Sequence, residues 1–241
     1  MERTDAEELL RRYAAGERDF AGLDLSGILL GRRYADELIK RYQTEENTRI
    51  GGVNLRGINL SGTNLEGANL EAVDFMGANL SGANLTGAIL QVAMLNEANL
   101  SGANMREVVL CGAHLHQTNL NKAVLEWANL GDASLNGTVL QRAKLRGADV
   151  STGECIDVDF SGADMREAIS SFCPPKERCN FSKVNWNRGC IQQCMFIDCN
   201  FTKASFSKAG AIESSFIRCN FTDAKLEKIK FFDASTTDSI F

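Results

Sequence analysis

A bulky apolar residue recurs every five residues through most of this chain. The first run of such centres, in the segment NLRGINLSGTNLEGANLEAVDFMGANLSGANLTGAIL, is Leu55, Leu60, Leu65, Leu70, Phe75, Leu80, Leu85 and Leu90. A small residue usually lies two positions before each centre, as Ala78 does before Leu80. This period fits neither a helix, at about 3.6 residues per turn, nor a strand, at about 2. The chain must therefore turn a corner every five residues.

The repeat also predicts how the corners are arranged. If the centre and the small residue point inward, three residues of every five point outward, and four units close a square coil of 20 residues. Each coil then stacks on the last with the spacing of paired strands. Glycine recurs two positions after the centre, for example at Gly57 and Gly62. We expect positive φ angles at these corners, since glycine adopts them without steric cost.

The repeat units resemble those of a known family. Runs such as ANLSGANLTGA match the pentapeptide-repeat consensus A(D/N)LXX residue for residue. This resemblance covers about residues 18–30 and 48–241, and the opening ELLRRYAAGERDFAGLDLSG resembles the leader of cyanobacterial members. It implies a mainly β fold, a right-handed quadrilateral β-helix, which is a solenoid. At 20 residues per coil, the chain has room for about nine to ten coils.

The tripeptide CNF occurs three times, at 20-residue intervals. Its copies begin at Cys179, Cys199 and Cys219. The spacing equals one coil, so the cysteines are predicted to be the small inward residues and the phenylalanines a stacked core column. Because buried cysteine behaves as a small hydrophobe, the triplet is interpreted as core packing.

Six segments follow from where the repeat starts, stops and resumes. A helix is predicted at the N-terminus, where Thr4 and Glu7 form a capping box. A second helix is predicted over about 32–44, where apolar residues with helical spacing interrupt the repeat. Pro174 and Pro175 lack ladder donors and predict a loop. The segments are an N-terminal capping helix (1–17), a first partial coil (18–30), the helical insertion (31–47), repeat coils (48–166), an interrupting loop (167–178) and C-terminal repeat coils (179–241).

Candidate protein-binding residues lie on the insertion and on one coil. The insertion helix carries four basic residues, and its other interpretation is packing on the coils. Trp127 is predicted to face outward near a corner, where an exposed indole is a good binding anchor. The basic residues of the insertion are Arg32, Arg33, Lys40 and Arg41.

The cysteines and histidines offer two chemical alternatives. Cys173 precedes the two prolines of the predicted loop and Cys179 directly follows the loop; they are the candidate disulfide pair, although cytosolic disulfides are uncommon. His114 and His116 both face outward, with Cys111 near the preceding corner. Three loosely spaced surface ligands lack a supported shell, so no metal or other cofactor is predicted.

Composition narrows the classes of function. The net charge of −5 disfavours nucleic-acid binding, and the start MERTDAEELLRRY has no apolar signal segment. No uncharged run approaches membrane-spanning length, so we expect no membrane contact and a cytoplasmic protein. No acid–base pair, nucleophile elbow or phosphate loop appears at the required spacing. An enzyme is therefore not expected.

Three functional hypotheses are compatible with such a chain. The first is a non-enzymatic scaffold for an unknown protein partner, as the resemblance implies, since the family includes a cyanobacterial regulator thought to work through protein contact. The second is a DNA mimic that binds gyrase, as other family members do, although residues 166–241 carry 11 basic and 8 acidic side chains. The third is a redox or metal sensor that uses the cysteines.

The last coil is a candidate surface for self-association. Phe231, Phe232 and Phe241 place large apolar groups there. Unpaired coil ends are templates for pairing, and two copies that meet end to end would form a closed dimer. A homodimer through this coil is therefore an expectation, and the family resemblance implies the same, since gyrase-protecting members dimerise through this end.

Overall fold

Parallel backbone pairing at 20-residue intervals builds the molecule. The structure is a computed structural model that describes residues 2–42 and 52–241. Asn59 bridges Asn79, which bridges Asn99, and each bridge is parallel. Four five-residue units thus form one turn of a β-solenoid, and each turn lies directly on the previous one. This architecture confirms the four-sided coil that the repeat predicts.

One side of the solenoid shows how many levels are stacked. Its bridged positions begin at Asp19 and end at Ile240. They are Asp19, Asn59, Asn79, Asn99, Asn119, Val139, Asp159, Asn180, Asn200, Asn220 and Ile240. These eleven levels slightly exceed the nine to ten coils expected, because the first and last coils are partial.

Short strands replace single bridges on two of the four sides after residue 154. All pairs are parallel, and the two sheets have the orders β1-β3-β5-β7-β9 and β2-β4-β6-β8. The strands are β1 (Cys155–Ile156), β2 (Ile169–Ser171), β3 (Lys176–Glu177), β4 (Cys190–Gln192), β5 (Met195–Ile197), β6 (Gly210–Ile212), β7 (Ser215–Ile217), β8 (Lys230–Phe232) and β9 (Ser235–Thr237).

The core runs along the solenoid axis and changes from leucine to phenylalanine. In the N-terminal coils a buried leucine such as Leu80 alternates with a buried alanine such as Ala78. In the C-terminal coils four rings form a column with interplanar angles of 7°, 9° and 8°. This column consists of Phe160, Phe181, Phe201 and Phe221. The CNF cysteines are buried beside it, which confirms their assignment to the core.

Corners adopt the positive φ angles that the glycines predict. Gly57 has φ 65° and Gly62 has φ 64°. Residues with side chains also adopt this conformation, including Glu97 at 61° and Trp127 at 61°. The corner geometry is therefore set by the coil and not by glycine alone.

The first helix, α1 (Ala6–Ala14), covers the first coil. Its buried face contains Leu9 and Leu10, which join the core. The capping box assigned to Thr4 and Glu7 is wrong by one residue, because the Asp5 side chain accepts a hydrogen bond from the Glu8 N–H at 2.9 Å. Thr4 instead pairs with the first coil, since its backbone N–H donates to the Asp24 carbonyl.

The second helix, α2 (Arg32–Tyr42), is tied to α1. The Tyr42 hydroxyl donates to Glu7 Oε1 at 2.9 Å, and Arg41 Nη1 pairs with the same oxygen at 2.7 Å. Leu38 and Ile39 pack against the core. The end of the predicted insertion (43–47) and the start of the next coils (48–51) lie outside the described residues.

The loop predicted over 167–178 is wrong, because the coil continues through it. Ser170 pairs with Ile191 in the next coil, and Lys176 pairs with both Cys155 and Phe196. The pairing interval changes from 20 to 21 residues here, so one extra residue is accommodated between β2 and β3. The two prolines occupy an exposed corner, where no ladder donor is needed.

Candidate functional site

An exposed indole lies at one corner of the solenoid. The Trp127 side chain is 52% exposed, as the sequence predicts, and it extends over the next coil. Its ring occupies the space beside Gly147, where any side chain would overlap the indole. Because Gly147 has no side chain, the indole packs against the next coil, and the rest of the ring is open to solvent.

Three arginine–carboxylate pairs lie on the same side of the solenoid, at the level of Trp127 and at neighbouring levels. We call the surface formed by Trp127 and these pairs the Trp127 face. The pairs are Arg106–Glu126 at 2.6 Å, Arg146–Glu167 at 3.1 Å and Arg166–Asp164 at 2.5 Å. Partly exposed pairs of this kind contribute little to stability. They instead give the face a fixed pattern of charge.

The Asp164 carboxylate shows how these pairs hold their charge. Burial raises the pKa of this carboxyl, but hydrogen bonds from the Arg166 side chain and backbone N–H outweigh burial, so the pKa is lowered. The carboxylate is therefore ionised at neutral pH. Sequence analysis found Trp127 but did not identify these ion pairs, because Arg106–Glu126 and Arg146–Glu167 join adjacent coils and depend on the register between them.

A second corner carries charges of alternating sign. Arg178 makes a two-bond contact to Asp157, with both distances 2.8 Å. Arg218 makes the same contact to Asp198, with both distances 2.7 Å. The hydrogen bonds from these arginines lower the pKa of both carboxyls. Asp157 and Asp198 are each neutralised by an arginine of the next coil.

The four basic residues of α2 differ in what the structure shows of their side chains. Arg41 pairs with Glu7 of α1, so it contacts the neighbouring helix. Lys40 is exposed and also has an interaction partner. The side chains of Arg32 and Arg33 lie outside what the structure describes. For Arg41, the packing interpretation is the better one.

The candidate dimer residues are exposed on the last coil. Phe231 is 43%, Phe232 62% and Phe241 63% exposed. The Phe241 ring stacks on Phe221, with centroids 5.2 Å apart, and so extends the core column. Self-association through these residues stays a prediction.

The cysteines are brought together differently from the sequence-based pairing. Cys173 Sγ lies 2.9 Å from Cys194 Sγ, whereas Cys179 Sγ lies 3.7 Å from Cys155 Sγ. The Cys173–Cys179 pair is therefore wrong, because the continuing coil places each cysteine against the adjacent level instead of across a loop. All eight cysteines are free thiols. Lys176 Nζ is 3.1 Å from Cys173 Sγ.

His114 and His116 lie side by side on the outside, with ring centroids 6.3 Å apart. Within residues 2–42 and 52–241, the structure contains no group of three or more histidine, cysteine or acidic side chains arranged to hold a metal ion. The same residues contain no helix with the length and apolar character needed to cross a bilayer.

Comparison with protein families agrees with this geometry. The family model described as "Pentapeptide repeats" matches residues 54–91, 93–126, 118–152 and 199–235. The chain belongs to the pentapeptide-repeat family. No curated protein sequence matches it.

Three solved structures that match this chain differ in identity, coverage and TM-score. HetL, a pentapeptide-repeat protein involved in heterocyst differentiation regulation from the cyanobacterium Nostoc sp. strain PCC 7120, is 26% identical and has a TM-score of 0.85. The match covers 98% of each chain. Rfr23, from the cyanobacterium Cyanothece 51142, is 31% identical over 54% of this chain and 90% of its own, with a TM-score of 0.40. QnrB1, a plasmid-mediated fluoroquinolone resistance protein, is 16% identical over 74% of this chain and 89% of its own, with a TM-score of 0.28.

Proposed function

We propose that this pentapeptide-repeat protein is a non-enzymatic scaffold that binds another protein through the Trp127 face. The observation that carries the proposal is the Trp127 indole, which packs on Gly147 and is 52% exposed at a corner that also carries paired arginines. Tryptophan and arginine are the residues most enriched among energetic hot spots of interfaces. Because the indole already packs against the next coil, it loses less conformational freedom on binding than a fully solvated side chain would, which favours affinity.

The charge pattern of the face defines the kind of partner. Each arginine of the face already has a carboxylate partner, so the face is close to neutral and carries both signs. Such a surface suits a protein with an apolar pocket for the indole and a mixed polar rim, which is the usual anatomy of a specific interface. It does not suit a polyanion.

A regulatory role is supported by the likeness to HetL. That protein takes part in heterocyst differentiation regulation, and it matches this chain over nearly its whole length. We therefore propose regulation by protein contact for this chain as well. The fold supplies a rigid rod, and function lies in patches on its sides.

The gyrase-binding alternative requires a dense acidic stripe that resembles DNA phosphates. The corner of Asp157 and Asp198 lacks this property, because Arg178 and Arg218 neutralise both carboxylates. We expect the purified protein to leave gyrase supercoiling unchanged at micromolar concentration. Inhibition of supercoiling, or protection of gyrase from a quinolone, would favour mimicry over the scaffold.

The binding test uses three immobilised proteins: the wild type, Trp127→Ala and Phe172→Ala. Phe172 is a matched control because it is 69% exposed at another corner with a positive φ. Proteins captured from a cell extract are quantified by mass spectrometry, and the leading one is then purified and titrated. We expect Trp127→Ala to weaken its binding by about 2 kcal/mol or more, as for a hot-spot residue, and Phe172→Ala to have little effect.

The result that would overturn the proposal is equally specific. If the purified partner binds wild type and Trp127→Ala with the same affinity, the Trp127 face is not the interface. Thermal melts of both variants guard against loss of fold, since both residues are on the surface.

Self-association through the last coil is tested separately by light scattering. A mass near 26.3 kDa across micromolar concentrations would refute the predicted homodimer. If a dimer forms, Phe232→Glu should dissociate it and leave the solenoid folded, because the Phe232 side chain is 62% exposed.

A further inference from the structure

A lysine side chain is buried in the core of the solenoid. Lys176 is only 1% exposed and occupies the inward position between Cys155 and Phe196 of the adjacent coils. At the next two levels of this side the inward position is apolar, at Phe196 and Phe216. Burial of an ammonium group is strongly unfavourable unless it has a partner of opposite charge or good hydrogen bonds. The position therefore calls for an explanation.

The partners of the lysine are a hydroxyl and a thiol. Lys176 Nζ donates to Thr152 Oγ1 at 3.2 Å and to Cys173 Sγ at 3.1 Å. Thr152 is itself buried. Of these two partners, only the thiol can become an anion at moderate pH. The geometry thus favours a Cys173 thiolate beside the Lys176 ammonium.

A second thiol lies against the first. Cys173 and Cys194 occupy equivalent positions on adjacent coils, and their sulfur atoms are 2.9 Å apart. The backbones there have the spacing of paired strands, about 4.8 Å, which falls within the usual Cα separation of a disulfide. Closing to a bond of about 2.05 Å requires the two sulfur atoms to move about 0.9 Å closer together.

The two thiols differ in access and protonation. Cys194 is 2% exposed, whereas Cys173 is part-exposed at a corner between exposed Phe172 and Pro174. The hydrogen bond with Cys194 and the nearby Lys176 ammonium lower the pKa of the Cys173 thiol to about 5, despite its partial burial. The pKa of Cys194 is raised, by the same hydrogen bond and by burial. One reachable thiolate thus lies beside one sheltered thiol.

We propose that Cys173 and Cys194 form a dithiol that a hydroperoxide oxidises to a disulfide, with Lys176 as the residue that holds Cys173 as the thiolate. In the first step the Cys173 sulfur attacks a peroxide oxygen. The S–O bond forms, the O–O bond breaks, and the departing oxygen takes a proton and leaves as water or alcohol. In the second step the Cys194 sulfur attacks the sulfenic acid. The S–S bond forms and water leaves, so one peroxide and two thiols yield one disulfide, one water and one further water or alcohol.

A second close pair provides an internal comparison. Cys155 and Cys179 are 3.7 Å apart and both are buried. The hydrogen bond with Cys179 and complete burial raise the pKa of Cys155. A buried, protonated pair at longer distance should react far more slowly than Cys173 and Cys194, because the thiolate is the reactive form.

The first test measures the product. The fully reduced, full-length protein is treated with a slight excess of hydrogen peroxide at neutral pH, and its intact mass is recorded. We expect the loss of two hydrogen atoms, reversed by dithiothreitol, and a non-reduced tryptic digest that links residues 167–176 to 189–203. Cys173→Ser and Cys194→Ser should each abolish the loss, whereas the matched control Cys155→Ser should retain it.

The second test measures the role of the lysine. The rate of iodoacetamide alkylation at Cys173 should be nearly constant from about pH 6 to 8 in the wild type, because the thiolate is already formed. In Lys176→Met the same rate should rise about tenfold per pH unit, as for an ordinary thiol. The wild-type profile decides this point even if the variant fails to fold.

Four outcomes would overturn the proposal. One is a peroxide-treated protein whose mass is unchanged or increased only by oxygen atoms. A second is a loss of two hydrogens that persists in Cys173→Ser or Cys194→Ser. A third is a product that loses two hydrogens and gains one oxygen, which would join Cys173 to Lys176 through that oxygen. A wild-type alkylation rate that rises tenfold per pH unit would refute the thiolate.

Discussion

Phe201→Ala tests whether the aromatic column carries the stability of the C-terminal coils. Phe201 is fully buried, and its ring is stacked between Phe181 and Phe221, with centroids 5.0 and 4.9 Å away. Three more rings meet it edge-on. They are Phe196, Phe206 and Phe216, with centroids at 5.5, 5.5 and 5.9 Å.

The magnitude follows from these contacts. Truncation of a buried phenylalanine to alanine costs about 3–5 kcal/mol, and each aromatic pair adds about 0.5–1.5 kcal/mol beyond area burial. With five ring partners, Phe201→Ala should lie near the upper end, about 5 kcal/mol. For a chain of this length, that free energy corresponds to a fall in melting temperature of about 10–20 °C.

Phe241→Ala is the matched control. Phe241 stacks on a single ring, Phe221, at 5.2 Å and is 63% exposed. Its truncation should cost no more than about 1.5 kcal/mol, the value of one aromatic pair. The pair of variants therefore compares the middle of the column with its last member.

The assay is guanidinium denaturation followed by both tryptophan emission and circular dichroism. Trp186 is buried against Phe181 and Phe206, so its emission reports loss of the column. Agreement of the two probes is needed before a free energy is extracted, because stacked repeats can unfold in stages. Equal losses of stability in Phe201→Ala and Phe241→Ala would refute the reasoning.

Three further predictions concern the register, the corners and the surface pairs. Leu100→Asp should unfold or aggregate the protein, since Leu100 is fully buried. Asn99→Asp should cost less than about 1 kcal/mol, because Asn99 is partly exposed. If thermal melts show that both variants are equally tolerated, the assignment of inward and outward residues is wrong. Gly87→Ala should lower the melting temperature by about 2–4 °C. The loss would come from backbone strain at φ 64°, because no atom lies near the added methyl group. An unchanged melting temperature would show that this backbone conformation costs alanine nothing. Arg218→Gln should flatten the acid limb of the stability curve: the Arg218 hydrogen bond lowers the folded-state pKa of Asp198, so its contribution is present at neutral pH and is lost as pH falls through that pKa. Identical acid melts of variant and wild type would contradict this.

The sequence predicts the inward residues well, because the coil is set by local spacing. Leu80 and Ala78 are buried as the five-residue rule requires, and Trp127 is exposed. Lys176 was missed because a lysine after two prolines is typical of a loop, although it lies five residues before the buried centre Phe181.

The candidate sites were predicted only in part, because the repeat does not show how neighbouring coils are aligned. A repeat indicates which face a residue occupies, but contacts between levels depend on the number of residues in each coil. The extra residue between β2 and β3 changes that number from 20 to 21. It brings Cys173 to Cys194, a pairing that the constant period does not contain.

The alternating corner changes the period that a binding partner meets. Backbone levels repeat at about 4.8 Å, but the sequence of charges Asp157, Arg178, Asp198 and Arg218 repeats only every second level, or about 9.6 Å. A partner displaced along the rod by one coil would face like charges, and one displaced by two coils would face matching ones again. A protein that bound along this corner would therefore meet a charge pattern that repeats every two coils, twice the repeat of the backbone.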